Sequence, residues 1–306
     1  MRSQDHGSGS NTRSSERGSS RNDAQDGGSA ASKRVRRIHP LAVLSFLAII
    51  AAWQASSVIL GETVGYKRVP GIEDVVRSFI EYAGYWQGGL GAESTRTGAE
   101  PTNWGATLGL GHNTLVTMLR TIAGYTIGVV TGIGLGFLIA WSKTARGLLT
   151  FPAHLARMMP LLAMIPLFAL WFGDSQFGVL TFIAFAVGIL LFAITINAIG
   201  NVPLHYWQYA RSLGASPLRT YARVVFPAAF PQLRGGLLLA VAFSWSAALA
   251  AEFLGQQVGL GHVLQSALYY ASTDVVALTG LVVIVFAAVT YLAANKTLAW
   301  LTRWAE

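Results

Sequence analysis

Two ionisable residues stand inside long apolar runs of this chain, and one short stretch gathers its basic residues. Glu252 closes the run SAALAAEFLG. An acid at membrane depth is a functional group by default; the simpler reading is that it meets headgroups or caps a partner. Arg120 interrupts another apolar run near its end, where its stem can follow hydrocarbon while the guanidinium reaches water. Residues 207–231, WQYARSLGASPLRTYARVVFPAAFP, hold Arg211, Arg219 and Arg223, with Arg234 just beyond. Arginines beside apolar segments suit contact with a partner protein or with lipid phosphates. In residues 151–173, Pro152, Pro160 and Pro166 each remove a backbone donor. Broken backbone at membrane depth is tolerated where protein or a water-filled cavity covers it. Pro160, Pro166, Trp171 and Glu252 are therefore candidates for lining or gating a pathway, with an ordinary kinked span as the other reading of the proline segment.

The elements that must position these residues follow from composition. With 53% hydrophobic and 12% charged residues, the chain predicts an all-α, polytopic membrane bundle. Six spans are expected: 41–60, 114–141, 151–173, 177–199, 233–254 and 275–298. Residues 1–37 are rich in Ser, Gly, Arg and Asp and read as a disordered tail. Lys33, Arg34, Arg36 and Arg37 precede the first span (38–60) and hold the N-terminus in the cytoplasm. No small-residue cleavage site follows that span, which argues against a signal peptide. Residues 61–113 form an external segment, with an amphipathic helix over 71–83 lying on the membrane surface and a flexible insertion over 88–101. Residues 114–306 form the core, whose basic loops and C-terminus face the cytoplasm. Gly124, Gly128, Gly132 and Gly136 recur every four residues, a stripe that lets two helices approach closely.

In the 207–231 loop, a short helix over 207–213 meets a break at Gly214, where a missing Cβ permits a sharp turn. Pro217 starts a second helical run over 218–225, which is expected to stop at Pro227. Such a hairpin serves as a docking element or as an interfacial connector.

Several chemistries are absent. There is no GxxxxGK[ST] loop for nucleotide phosphates, no HExxH and no cysteine. His112 and His262 lack a partner at metal-ligand spacing and read as solvated histidines, so no metal is expected. The formal net charge of +8 is spread over the tail and short loops, a pattern of membrane orientation rather than nucleic-acid binding.

The order Gln208-Tyr209-Ala210, then Gly214-Ala215, then Phe226-Pro227 resembles the EAA…G…LP loop of the permease subunits of bacterial ABC importers. The family's Glu is Gln208 here and its following Ala is Tyr209, which removes an acid from the loop. The stretch from Pro160 to Gly173 is similar to the PP…P…WFG segment of the taurine, sulfonate and nitrate branch, with Met159 replacing the first proline. The resemblance implies a multi-pass inner-membrane permease working as a homodimer among membrane lipids. It also implies two cytoplasmic ATPase subunits that bind ATP, no cofactor and no catalysis in this chain, and an external substrate-binding protein. The cargo would be a small anion such as a sulfonate, taurine or nitrate. The coupling loop would include Gln208, Ala210, Arg211, Gly214, Ala215, Arg219 and Pro227. An ion-gradient-driven secondary transporter, with Glu252 as its intramembrane acid, is the alternative; a membrane-embedded enzyme or anchor would need a clustered polar site that the sequence does not display.

Overall fold

The computed structural model describes residues 40–60, 62–63, 66–253 and 255–303. The expected tail, with Lys33, Arg34, Arg36 and Arg37, lies outside them. The chain divides into two compact units, Met1–Ile50 and Ala51–Glu306. Of the first, the described part is the start of helix α1 (Pro40–Leu60); the candidate functional residues all lie in the second.

Among the described residues, five helices are long and apolar enough to cross a membrane, or six spans if one bent pair counts as a crossing. They are α1, α3 (Asn103–Trp141), α6 (Gln176–Gly200), a continuous helix from α8 (Pro217–Thr220) into α9 (Phe226–Phe253), and α11 (Thr273–Leu301). The bent pair is α4 (Lys143–Met158) and α5 (Leu161–Phe172), which meet at 104°. Met159 has ψ 126°, the extended backbone that a following proline imposes, so the bend falls at Pro160. Pro152 and Pro166 lie within α4 and α5 without ending them. Three prolines predicted irregularity; one of them places the break.

The core is α6 wedged between α3 and α9. The glycine stripe of α3 faces α6. A Cβ at Gly124 would lie 2.6 Å from that of Ile183, one at Gly128 2.6 Å from that of Val187, and one at Gly136 2.6 Å from that of Thr195. At Gly132 the neighbour is the Gly188 backbone itself. From α9, Gly236 gives the same access to Ile194. Phe182, Val187, Leu191 and Ala240 fill the space between them. The helix α5 joins this core through Phe168, whose ring meets Phe182 edge-on at 5.3 Å.

The segment after α1 holds a two-residue antiparallel hairpin, β1 (Glu62–Thr63) with β2 (Tyr66–Lys67), and then α2 (Ile72–Arg77), which runs into a 3₁₀ turn, Ser78–Tyr85. This amphipathic stretch packs part of its apolar surface against the helices, while Ile72 and Val76 stay exposed. Val75, Tyr82 and Ala83 are buried, with Ala106, Val263, Ala267 and Val275 in the same cluster. The turn after it is tied down as well: the Trp86 indole donates to the Gly89 and Ala92 carbonyls, and the Trp104 indole to that of Leu90.

Tyr82 supplies a test of this packing. Thr279 donates its hydroxyl hydrogen to the Val275 carbonyl, so Tyr82 is the donor in the Tyr82–Thr279 contact. Burial pushes the Tyr82 phenol up to about 12. The native state thus keeps this proton at a pH where the unfolded chain has lost it. Stability is unaffected below about pH 10 and falls as pH rises from there towards 12. A tyrosinate absorbance titration should show a component ionising above the normal range, and Tyr82→Phe should reduce that late component by one phenol.

Candidate functional site

Two places gather the candidate residues. The first is the hairpin formed by α7 (Leu204–Ser212) and α8. Gly214 has φ +74°, in the region that L side chains avoid. The Ala215 amide donates to the Ala210 carbonyl at 3.0 Å and the Gly214 amide to that of Arg211 at 2.9 Å, the paired bonds of a Schellman cap. Pro217 then opens α8. Pro227 does not end the second run, because Tyr221–Val225 forms a π-helical turn that leads directly into α9. The extra residue of that turn absorbs the mismatch that a proline would cause in a regular helix.

The α7 helix presents two faces. Ala210 is buried, and Trp207, Gln208 and Arg211 line a cavity of about 720 Å³ beneath the ends of α3 and α6. On the other side Tyr209, Leu213 and Leu218 are exposed, Leu213 to 86%. Gly214 and Arg219 are exposed too, and Ala215 is half-buried. Among the described residues, nothing lies within 4 Å of a Cβ at Gly214. Gly214→Ala should therefore cost about 1 kcal/mol through backbone strain alone, measurable as a lower unfolding midpoint in detergent.

The second place is a polar knot at the opposite end of the bundle. Arg120 and Glu252 are both buried and form an ion pair at 2.8 Å. Arg120 Nη1 also donates to the Val258 carbonyl, Nη2 to Gln256 Oε1 and Nε to Gln176 Oε1. The second oxygen of Glu252 accepts from the Thr117 hydroxyl at 2.7 Å and from the Gly261 amide at 3.1 Å. Thr117 Oγ1 accepts in turn from the Leu260 amide, and Asn113 Oδ1 from the Gly259 amide. The first amides of α10 (Leu260–Tyr269) are thereby capped by α3 and by a carboxylate, the charge that a helix N-terminus favours. Glycines make room for it: a Cβ at Gly259 would lie 2.5 Å from the Glu252 carboxyl carbon, and one at Gly261 2.5 Å from Glu252 Cβ.

Arg120 therefore does not snorkel, and Glu252 meets neither headgroups nor solvent. Each is the other's partner, because a buried charge is held only by an opposite charge with its remaining hydrogen bonds filled. Asn113, Thr117, Gln176 and Gln256 belong to the same knot and were not picked out from the sequence. Their trace is nonetheless present: Asn113, Thr117, Arg120 and Gly124 follow helical spacing, so one face of α3 is polar at one end and glycine-lined along the rest.

Pro160, Pro166 and Trp171 are not part of that knot. Pro166 and Trp171 lie exposed on α5 beside Leu162 and Leu170, while Phe168 faces the core. His112 and His262 are half-buried rather than solvated, packed edge-on against Trp86 and Tyr85. No group of three or more His, Cys, Asp or Glu that could hold a metal occurs among the described residues.

Comparison with known proteins places this geometry. The taurine transport system permease protein TauC of Escherichia coli strain K12 is 34% identical over 167 residues, 55% of this chain and 59% of that protein. The nitrate import permease protein NrtB of Synechococcus elongatus is 29% identical over 258 residues, 83% of this chain and 85% of that one. The chain spans about three fifths of the length of several curated relatives it matches. A solved bacterial ABC transporter involved in the import of the acidic polysaccharide alginate shares the fold, with a TM-score of 0.56 at 13% identity over 86% of this chain and 94% of that one. The family model for inner membrane components of binding-protein-dependent transport systems matches residues 128–304. That match holds the α4–α5 bend, the whole α7–α8 hairpin and Glu252, and the chain belongs to this family of inner-membrane transport components.

Proposed function

We propose that the chain is the permease subunit of an ATP-driven importer. In this reading it moves a small anion, such as a sulfonate, taurine or nitrate, handed over by an external binding protein. The observation that carries the reading is the α7–α8 hairpin: a capped turn that exposes Tyr209, Leu213, Leu218 and Arg219, fused without a break to a membrane-crossing helix. A cytoplasmic ATPase is its partner, and ATP is bound and hydrolysed there, with no cofactor in this chain. The α9 helix, with 28 residues, is about 42 Å long. It links the hairpin at one end to Glu252 at the other. A pull on the hairpin by closing ATPases would act along this rod on the contacts that Glu252 makes with α3 and α10. Two copies would place the exposed α5 faces, with Pro160, Pro166 and Trp171, along a shared pathway.

The ion-gradient alternative needs an acid free to exchange its partner with the driving ion. Both oxygens of Glu252 are engaged by Arg120, Thr117 and Gly261, which supports the ATP-driven reading. The test is uptake of labelled taurine, an alkanesulfonate and nitrate into proteoliposomes containing the chain, the ATPase and the binding protein. Uptake that needs all three proteins and ATP is expected. Uptake driven by a proton or sodium gradient without ATP would overturn the proposal.

A further inference from the structure

The cavity beneath α7 has an electrostatic character that the hairpin's docking role does not use. Its charged wall comes from two helices. On α4, Arg146, Thr150 and His154 recur every four residues and form one stripe; on α7, Gln208 and Arg211 face them. Arg146 spends part of its guanidinium on the Ile139 and Ala140 carbonyls, closing the end of α3. The Arg211 guanidinium makes no hydrogen bond or ion pair among the described residues, and the buried hydroxyl of Thr150 has no partner there. Among the described residues, the cavity has no acidic lining residue. Between Trp141 and Glu252 the sequence holds a single acid, Asp174, whose carbonyl belongs to the polar knot at the other end of the bundle. Uncompensated guanidinium groups around an open volume call for an anion.

The rest of the lining says which kind. Ile139, Ile196, Ile199 and Val202 make the remaining walls apolar. Ile139 also lines a second groove of about 640 Å³ on the adjacent side of α4, between α3 and α6. Apart from Thr131 and Thr181, that groove presents only apolar side chains and glycines. A basic chamber next to an apolar slot, at the basic end of the helices, matches an amphiphile rather than a soluble ion.

We propose that the cavity seats the phosphate headgroup of an anionic phospholipid of the inner leaflet, with an acyl chain lying in the adjoining groove. Arg211 and His154 contact the phosphate, Thr150 donates its hydroxyl, and the lipid ties α7 to α4 beneath the bend at Pro160. The proposal rests on the orientation of the permease reading, which puts this end at the cytoplasmic leaflet. Its test uses neither ATPase nor binding protein, so the two can fail separately.

The full chain is placed in phosphatidylcholine nanodiscs with a trace of spin-labelled phosphatidylglycerol or spin-labelled phosphatidylcholine, and the immobilised fraction of each label is read. Wild type should immobilise the phosphatidylglycerol label preferentially. Arg211→Gln should lower that preference about fivefold, the effect of removing one basic residue near a lipid phosphate. Thr150→Trp, which fills the cavity and keeps every charge, should lower it as well, so the result does not hinge on either variant folding. Arg219→Gln, outside the cavity, should leave it intact. Equal immobilisation of both labels by wild type would overturn the proposal, as would a preference that survives both cavity variants. Loss of the preference on adding water-soluble glycerol phosphate would assign the site to a free anion and also overturn it.

Discussion

Glu252→Gln should destabilise the protein by about 3–5 kcal/mol, the range for breaking a buried ion pair from one side. The cost comes from what is left behind. Arg120 stays buried with its charge, and an amide replaces the oxygen that accepted its 2.8 Å bond. Whichever way the amide is turned, its NH2 faces donors: Arg120 Nη1 in one orientation, the Thr117 hydroxyl and the Gly261 amide in the other. Arg120→Met leaves a buried carboxylate and should cost a similar amount. The double variant Arg120→Met, Glu252→Leu removes both charges and replaces them with apolar volume. It should lie closer to wild type than either single change, since a buried pair contributes little net stability once its desolvation is counted. The measurement is a double-mutant cycle on unfolding midpoints in detergent, supported by trypsin resistance. Single variants within about 1 kcal/mol of wild type would mean that the pair is open to solvent. A double variant no better than the singles would mean that Thr117, Gln176 and Gln256 depend on the charges for their own positions.

Gly132→Leu should be as damaging, by a different route. At this point α3 meets the Gly188 backbone of α6 directly, so no rotamer change can clear the space and the helices must part. Overpacking costs about 1–3 kcal/mol where side chains can give way, and a backbone neighbour puts this change at or above the upper end. The separation would spread along the contacts of Gly124, Gly128 and Gly136 with Ile183, Val187 and Thr195. Gly134 is the control: it lies on the same helix with nothing within 4 Å of its Cβ. Gly134→Ala should be neutral or stabilising by up to about 1 kcal/mol through helix propensity. Folded yield after detergent extraction and the unfolding midpoint would separate the two. Equal behaviour of the pair would place the α3–α6 contact elsewhere.

These two predictions show what the sequence exposes and what it hides. Helices are written locally: apolar length gives the spans, and spacing of four gives the glycine face. A single glycine followed by a proline gives the turn at Gly214. The bend at Pro160 is half legible, because a proline permits a break while only packing decides which one breaks. Phe168 locks α5 onto α6 and leaves Pro166 inside a regular helix. The Arg120–Glu252 pair belongs to the hidden part. Its members are 132 positions apart, and each has a sufficient local reading: Arg120 as a residue that reaches water, Glu252 as one that meets headgroups. Their pairing follows only from the approach of α3, α9 and the Gly259–Gly261 turn. The exposed hydrophobic face of α7 was also not separable from its cavity face by composition, because Gln208 and Arg211 line the open cavity while Tyr209 and Leu213 lie outside it, all four being exposed.

The most direct test of the central claim is purification of the tagged full chain from its native membrane in mild detergent, wild type beside Gly214→Ala and Gly214→Arg. A Cβ at position 214 meets none of the described residues within 4 Å, so the Ala and Arg variants carry the same backbone strain and differ in what protrudes from the hairpin. An ATPase subunit with a phosphate-binding GxxxxGK[ST] loop should accompany the wild type and the Ala variant and be lost with the Arg variant. Absence of any such subunit from the wild type, or equal recovery with all three chains, would contradict the coupling role assigned to this hairpin.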